Sequence, residues 1–315
     1  MRRIISILIV ISLTLFAIGV YADSYPSKNI VYQVTFSPGG ASDIRARQQQ
    51  PILEQELGVK ILVQYKPGGG GSIGWANLVK QKPDGYFMSG INIPHIILQP
   101  LARKNAGYQT EQILPIILFQ EIPIALTVRK DSPFKTLEDL VNYAKANPGA
   151  VTVGGSGTWD ATNIAHLQFE EMAGIKMTYI PHKGGRPKQT SLLGGHTMAG
   201  WFGIIESFAH GDKVRNLAVC TEQPVLVYPD VPTFKSKGYN LMSAVYHGVG
   251  VPAGTPAEVT QTLSRVFQKI ANDPKVRKRK LAEGYTPIAM NSAEAQALIQ
   301  TKVKEWTPIV RKFVK

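Results

Sequence analysis

Short apolar runs alternate with longer amphipathic stretches along almost the whole chain. Residues 30–36 (IVYQVTF), 60–65 (KILVQY), 86–93 (YFMSGINI) and 122–130 (IPIALTVRK) are rich in β-branched and aromatic side chains and read as strands. The apolar runs within AVTVGGSG, MTYIPHKGG, HTMAGWFG and VRNLAVCT read the same way. Between them the pattern predicts helices over 41–57 and about 73–81. A third runs to Ala146, capped by Thr136 with Glu138 and Asp139 in its first turn. Two or three helices close the chain from Pro256 onward. The turn Lys82-Pro83-Asp84-Gly85 separates two of the early elements. Alternation of this kind predicts an α/β architecture with parallel sheets.

The chain start departs from that pattern. Arg2 and Arg3 precede an apolar run from Ile4 to Gly19, and Val20-Tyr21-Ala22 offers a cleavage site. This is the layout of a secretory signal peptide over residues 1–22, with cleavage expected after Ala22 and a periplasmic destination. No later stretch approaches the ~18 apolar residues of a spanning helix. Removing 22 residues from 315 leaves 293, enough for two domains with cores of their own. The single cysteine, Cys220, lies in an apolar run and reads as a buried small hydrophobe, so packing alone must hold the exported protein.

The formal charge of +13 falls to +11 once Arg2 and Arg3 leave. A positive field suits nucleic acid, an anionic surface or small anions. The basic residues are dispersed, and KVRKRK (275–280) reads as the solvated face of a polar helix. No alternation of basic and aromatic residues marks a nucleic-acid surface, so none is expected as a partner. Small anions remain.

Three segments place glycines between a strand and a helix: FSPGGASD (36–43), YKPGGGGSIG (65–74) and VGGSGTWDAT (153–162). A helix start carries unpaired N–H groups and a partial positive charge, and glycine lets an anion reach them. Together they predict an anion with more than one carboxylate or phosphate. Gly69, Gly71 and Gly74 match a dinucleotide fingerprint in spacing, but no acid follows about 20 residues on, so no nucleotide cofactor is expected. Gly70-x-Ser72-x-Gly74 matches the nucleophile elbow of a hydrolase, yet Ser72 stands well beyond the strand end. The six histidines, at 95, 166, 182, 196, 210 and 247, have no metal-ligand spacing, and no metal is expected. His182, in PHKGG at a strand end, is either a ligand contact or a loop histidine.

In order and spacing, FSPGGASDIRAR, YKPGGGGSIG, KPDGYFM, GGSGT, YIPHKGGRPKQTSLLGG, RNLAVCTEQPVLVYPDVPTFKSKGY and GVGVPAGTPAEV resemble the substrate-binding proteins of tripartite tricarboxylate transporters, the Bug family of periplasmic solute receptors. Pro38, Gly39, Gly40, Asp43, Ala46 and Arg47 meet one family element, and Pro83 to Tyr86 meet another. His182 stands where the family has a tyrosine. The resemblance implies a type II periplasmic-binding-protein fold, two Rossmann-like α/β domains around a ligand cleft. It implies two chain crossings, placed near 122–124 and 244–248. Domain 1 is then 23–122 plus 248–315, and domain 2 is 123–247. It also implies a small carboxylate ligand, a membrane permease as partner, a monomer, and no enzymatic activity.

Carried over by residue, the resemblance places Phe36, Ser37, Gly39, Gly40, Ala41 and Ser42 on the ligand from domain 1 and Gly155, Ser156, Gly157, Thr158 and Thr162 from domain 2. Asn92, Trp159, His182 and Trp201 are further candidate ligand contacts beyond that carry-over. Asp43 would repel an anion, so it is expected to brace its loop through backbone amides. Trp159 and Trp201 form either a flat wall for an aromatic acid or ordinary core packing. The alternative to a receptor is an exported esterase using Ser72.

Overall fold

A computed structural model describes residues 25–314, so the signal peptide lies outside the described residues. The first elements are β1 (Ile30–Val34), α1 (Ala41–Leu57), β2 (Ile61–Tyr65), α2 (Ser72–Leu78), β3 (Phe87–Ile93), α3 (His95–Ala102) and the long β4 (Ile113–Arg129). Then come α4 (Leu137–Ala146), β5 (Thr152–Gly155), α5 (Ala161–Ala173), β6 (Thr178–Pro181), α6 (Gly185–Leu193), β7 (Ala199–Gly203), α7 (Ile204–His210) and β8 (Val214–Val219). The chain closes with β9 (Ala244–Pro252), α8 (Ala257–Asn272), α9 (Pro274–Ala282), β10 (Thr286–Asn291) and α10 (Ser292–Phe313).

Strands joined through helical crossovers are parallel: β1 with β2 and β3, and β5 with β6 and β7. The sheet is nevertheless mixed. β9 runs antiparallel to β3 and β4, and β7, β8 and β10 run antiparallel to β4. The cause is β4 itself. At 17 residues it is three times an ordinary strand, and its two ends serve different strand sets. Its first part pairs with β9 and β10, and Ile124 to Arg129 pair with β7 and β8. All ten strands thereby join one continuous sheet, with β4 and β9 as its waist.

The helix caps follow the sequence where residues can supply them. The Thr136 hydroxyl accepts from Asp139 N at 3.1 Å while the Asp139 carboxylate accepts from Thr136 N at 2.9 Å. Separate cores form on either side of the waist. One gathers Ile30, Leu53, Phe119, Leu263 and Phe267. The other gathers Leu126, Leu140, Val153, Phe169, Trp201 and Phe234. Trp201 is fully buried, stacked on Phe234 at 5.7 Å with Phe169 edge-on at 6.1 Å. Trp201→Ala is therefore expected to cost about 3–5 kcal/mol, read as a lower urea midpoint at unchanged slope.

Candidate functional site

A small cavity of about 70 Å3 lies at the waist, several times the least space that holds one water. Phe36, Gly40, Ala41, Ser42, Asn92 and His95 line it from one side of the sheet, and Ser156, Thr162, Gly185, Lys188, Gly203, Ile205 and Glu206 from the other. Ile122, Ile124, Val245 and His247 of β4 and β9 form its floor.

Helix starts dominate the wall. Five begin there: α1 at Ala41, α3 at His95, α5 just before Thr162, α6 at Gly185 and α7 just before Ile205. Two are already answered by their own carboxylates. Asp160 accepts from Asn163 N at 2.8 Å at the start of α5, and Glu206 accepts from Gly203 N at 2.9 Å at the start of α7. The starts of α1, α3 and α6 have no side-chain cap. Their first N–H groups and partial positive charges remain available to an anion.

The expected residues divide accordingly. Phe36, Gly40, Ala41, Ser42, Asn92, Ser156 and Thr162 line the cavity. The other expected residues lie around it in different roles. The Ser37 hydroxyl donates across the cleft to Lys183 O at 2.8 Å. Gly39, at φ +77°, donates its N–H to Asp43 Oδ2 at 2.7 Å. Asp43 Oδ1 accepts from the Tyr65 hydroxyl at 2.7 Å, with Arg47 Nε 3.6 Å away. The acid thus spends its charge inside its own turn.

The loop after β5 is largely closed on itself. Thr162 Oγ1 accepts from Ser156 N at 2.9 Å and donates to Asp160 Oδ1 at 2.6 Å. Gly155 O faces His182 Nδ1 at 3.2 Å and also accepts from His182 N. Gly157 O accepts from the Tyr179 hydroxyl at 2.6 Å. A Cβ on Gly157 would lie 2.8 Å from Gly70 Cα, so this loop packs on the second glycine loop. Gln99 Nε2 donates at 2.7 Å to both Thr158 O and Trp159 O. Gly70 and Gly157 therefore serve close approach between the two sides, whereas Gly68, Gly69 and Gly71 make room for Ile73, Ser72 and Trp75 of their own turn, and Gly155 for Tyr179. Trp159 packs on Leu98, Ile164 and Val310, and Trp201 belongs to a core. The structure brings neither tryptophan to the cavity wall.

Sequence reasoning missed most of the floor and the wall from α6 and α7, and with them three nitrogen-bearing titratable groups, a lysine and two histidines. Lys188 is 1% exposed, and its ammonium donates to Glu206 Oε2 and Trp201 O, both at 2.7 Å, and to Ser156 Oγ at 3.2 Å. All three protons are used. Lys188 shares its helical stripe with Ser191 and Leu192, both buried, and that spacing could have flagged it. His95 and His247 are the others. His247 stands opposite Asn92 and Gln120 in register, on the inward parity of β9 with Val249 and Val251. Burial lowers both histidines to about 3, helped for His95 by Lys188 and for His247 by His95, Arg45 and Lys280. His95 Nδ1 has no hydrogen-bond partner. Burial also raises the Asp160 carboxyl to about 6, against its bonds to Thr162 and Asn163.

Ser72 donates to Gly69 O at 2.9 Å, which leaves it a turn brace rather than a nucleophile. Among the described residues no cluster of His, Cys, Asp and Glu is arranged to hold a metal. No described helix is long and apolar enough to cross a membrane.

Two outcomes follow from the buried charges. Lys188→Met leaves Glu206 buried and unpaired and is expected to cost about 3–5 kcal/mol, whereas Lys188→Met with Glu206→Leu should recover most of that in urea unfolding. Below pH 6.5 the unfolded chain protonates His95 and His247 while the fold holds them neutral down to about 3, so stability falls as pH falls. Asp160 opposes this between about 6 and its ordinary value. Unfolding at pH 7 and pH 5 should differ by roughly 2–4 kcal/mol, and His247→Gln should flatten the slope.

Known proteins share this chain's sequence pattern and fold. A family model described as the tripartite tricarboxylate transporter family receptor matches residues 45–314. A protein from the TAR-I ttuE-ttuC' intergenic region of Agrobacterium vitis is 32% identical, over 88% of this chain and 81% of its own. Protein BugT of Bordetella pertussis is 27% identical over 99% of this chain and 97% of its own. The structure of the periplasmic binding protein BugD superposes with a TM-score of 0.87 at 28% identity, covering 92% of this chain and 99% of that one. The fold is that of these periplasmic binding proteins, and the receptor family leaves no place for an esterase at Ser72. The chain belongs to the tripartite tricarboxylate transporter receptor family.

Proposed function

We propose that this periplasmic receptor closes on a small aliphatic carboxylate, a diacid above all, and delivers it to the membrane permease of a tripartite tricarboxylate-type transporter. The observation that carries the reading is the set of three uncapped helix starts, α1, α3 and α6, around one cavity. The first two lie on one side of the waist and the third on the other. A ligand with a carboxylate at each end reaches donors on both sides, which gives closure its driving force.

The side chains support an aliphatic body. Ile122, Ile124, Ile205 and Val245 supply the apolar part of the wall, with Phe36 at one edge. The cavity is small, and both tryptophans that would flatten it lie elsewhere. Lys188 and Glu206 satisfy each other, so they position Ser156 and the start of α7 rather than meeting the ligand directly. Within this reading the protein is a monomer, cleaved after Ala22, whose two domains, 23–122 plus 248–315 and 123–247, move about β4 and β9.

Isothermal titration of matched acids tests it. Losing one carboxylate removes charge-assisted hydrogen bonds worth about 1.5–3 kcal/mol each, so butyrate should bind at least about tenfold more weakly than succinate. Phthalate should bind more weakly than adipate. Equal affinity for monoacid and diacid would defeat the two-ended model. Gly185→Ala, whose Cβ would overlap the Glu206 carboxylate, should weaken the best acid by about tenfold or more.

A further inference from the structure

The waist has a second face. Ile122, Ile124, Val245 and His247 point into the cavity. The alternate residues of the same strands, Glu121, Ala244 and Tyr246, line a hollow of about 380 Å3 behind it. The register agrees: Ile122 pairs with Val245 on the front, and Glu121 with Tyr246 on the back. The hollow also spans both sides of the molecule. Pro94 and Trp306 wall it on one side, Cys220 and Met242 on the other. A rotation about β4 and β9 that closes the front must part these rear walls. Here hydrogen bonds tie the two sides together at the front, from Gln99 to Thr158 O and Trp159 O and from Ser37 to Lys183 O, while the rear hollow lies between the same two sides.

The chemistry of the hollow runs against the charge of the chain. Glu121 and Glu222 line it against one ammonium, Lys302. Glu222 is paired with Lys235, and Lys302 with Glu305 at 2.6 Å. Among the described residues no basic side chain pairs with Glu121. Burial raises its carboxyl above the ordinary range, against the Tyr246 hydroxyl and Lys302. A half-buried carboxylate facing one ammonium, Lys302, that is itself paired with Glu305, and standing beside a tyrosine and a tryptophan, suits an organic cation that offers both charge and apolar surface.

We propose that this rear hollow is a second binding site, for a small organic ammonium ion held by Glu121 with Tyr246 and Trp306, and that filling it holds the front cleft closed. The coupling rests on the receptor reading above, and by linkage each ligand then raises affinity for the other.

The test is titration of the whole mature protein with tetramethylammonium chloride, against sodium chloride at equal ionic strength. Tryptophan emission reads binding, and X-ray scattering reads closure. The expected result is a saturable emission change with the amine alone and a smaller radius of gyration. Glu121→Gln should weaken the titration about tenfold or more. Met242→Trp, at the exposed rim, should fill the hollow, giving a compact protein without amine and no titration. The same response from sodium chloride, or a Glu121→Gln protein that titrates like wild type, overturns the site. Saturable binding without compaction in wild type, together with a Met242→Trp protein no more compact than free wild type, overturns the coupling. Calorimetry with adipate on the same samples keeps the two readings apart, because a protein that binds adipate and ignores the amine defeats the rear site alone.

Discussion

The Lys188 ammonium is the contact on which the cavity depends. It sits 1% exposed and holds three partners from three elements: Ser156 after β5, the Trp201 carbonyl of β7, and Glu206 in α7. Two opposite charges taken out of water are costly unless their geometry is good and their remaining hydrogen bonds are filled. Here they are filled. Glu206 also accepts from Gln189 at 3.0 Å and from Gly203 N at 2.9 Å. The pair thereby fixes the loop after β5, the end of β7 and the start of α7 relative to α6.

That fixing decides which helix starts remain free. Asp160 takes one backbone N–H at the start of α5 and Glu206 takes the Gly203 N–H ahead of α7, so the glycine loop after β5 and the turn after β7 offer fewer open N–H groups. The starts of α1, α3 and α6 carry Gly40, Pro94 and Gly184 at their caps, none with a side chain able to accept. In the proposed reading, anion affinity follows from the absence of a cap rather than from glycine content. Buried neutral histidines fit the same scheme: His95 and His247 add ring nitrogens beside the cavity without adding charge at neutral pH.

The waist imposes the second constraint. Two antiparallel strands, β4 and β9, carry the sheet from one core to the other. Strand alternation then assigns every second residue to the cavity and the rest to the rear hollow. In the proposed reading, in which the two sides turn about these strands, movement on one face is the inverse of movement on the other. A receptor built this way can be biased from behind without any change in its ligand contacts.

Much of this was legible in the chain. Periodicity located α1 at residues 41–57 and the capped helix through Ala146, and ordered motifs from FSPGGASDIRAR onward pointed to the receptor family. The glycine loop at 36–42 was found because its helix start lies next to it in sequence, so one local pattern holds the whole signal. The antiparallel waist, Lys188, His95 and His247 were not found, and Trp201 was assigned to either of two surroundings. Their roles depend on partners far along the chain: Lys188 on Ser156 and Glu206, His247 on Asn92 and Gln120. The sequence by itself determined many of the elements up to β8, the Thr136 cap and the family, because those depend on neighbours within a few residues. Only the tertiary structure decided which helix starts stay uncapped at the cavity and which face of each strand meets it, because both depend on packing between segments distant along the chain.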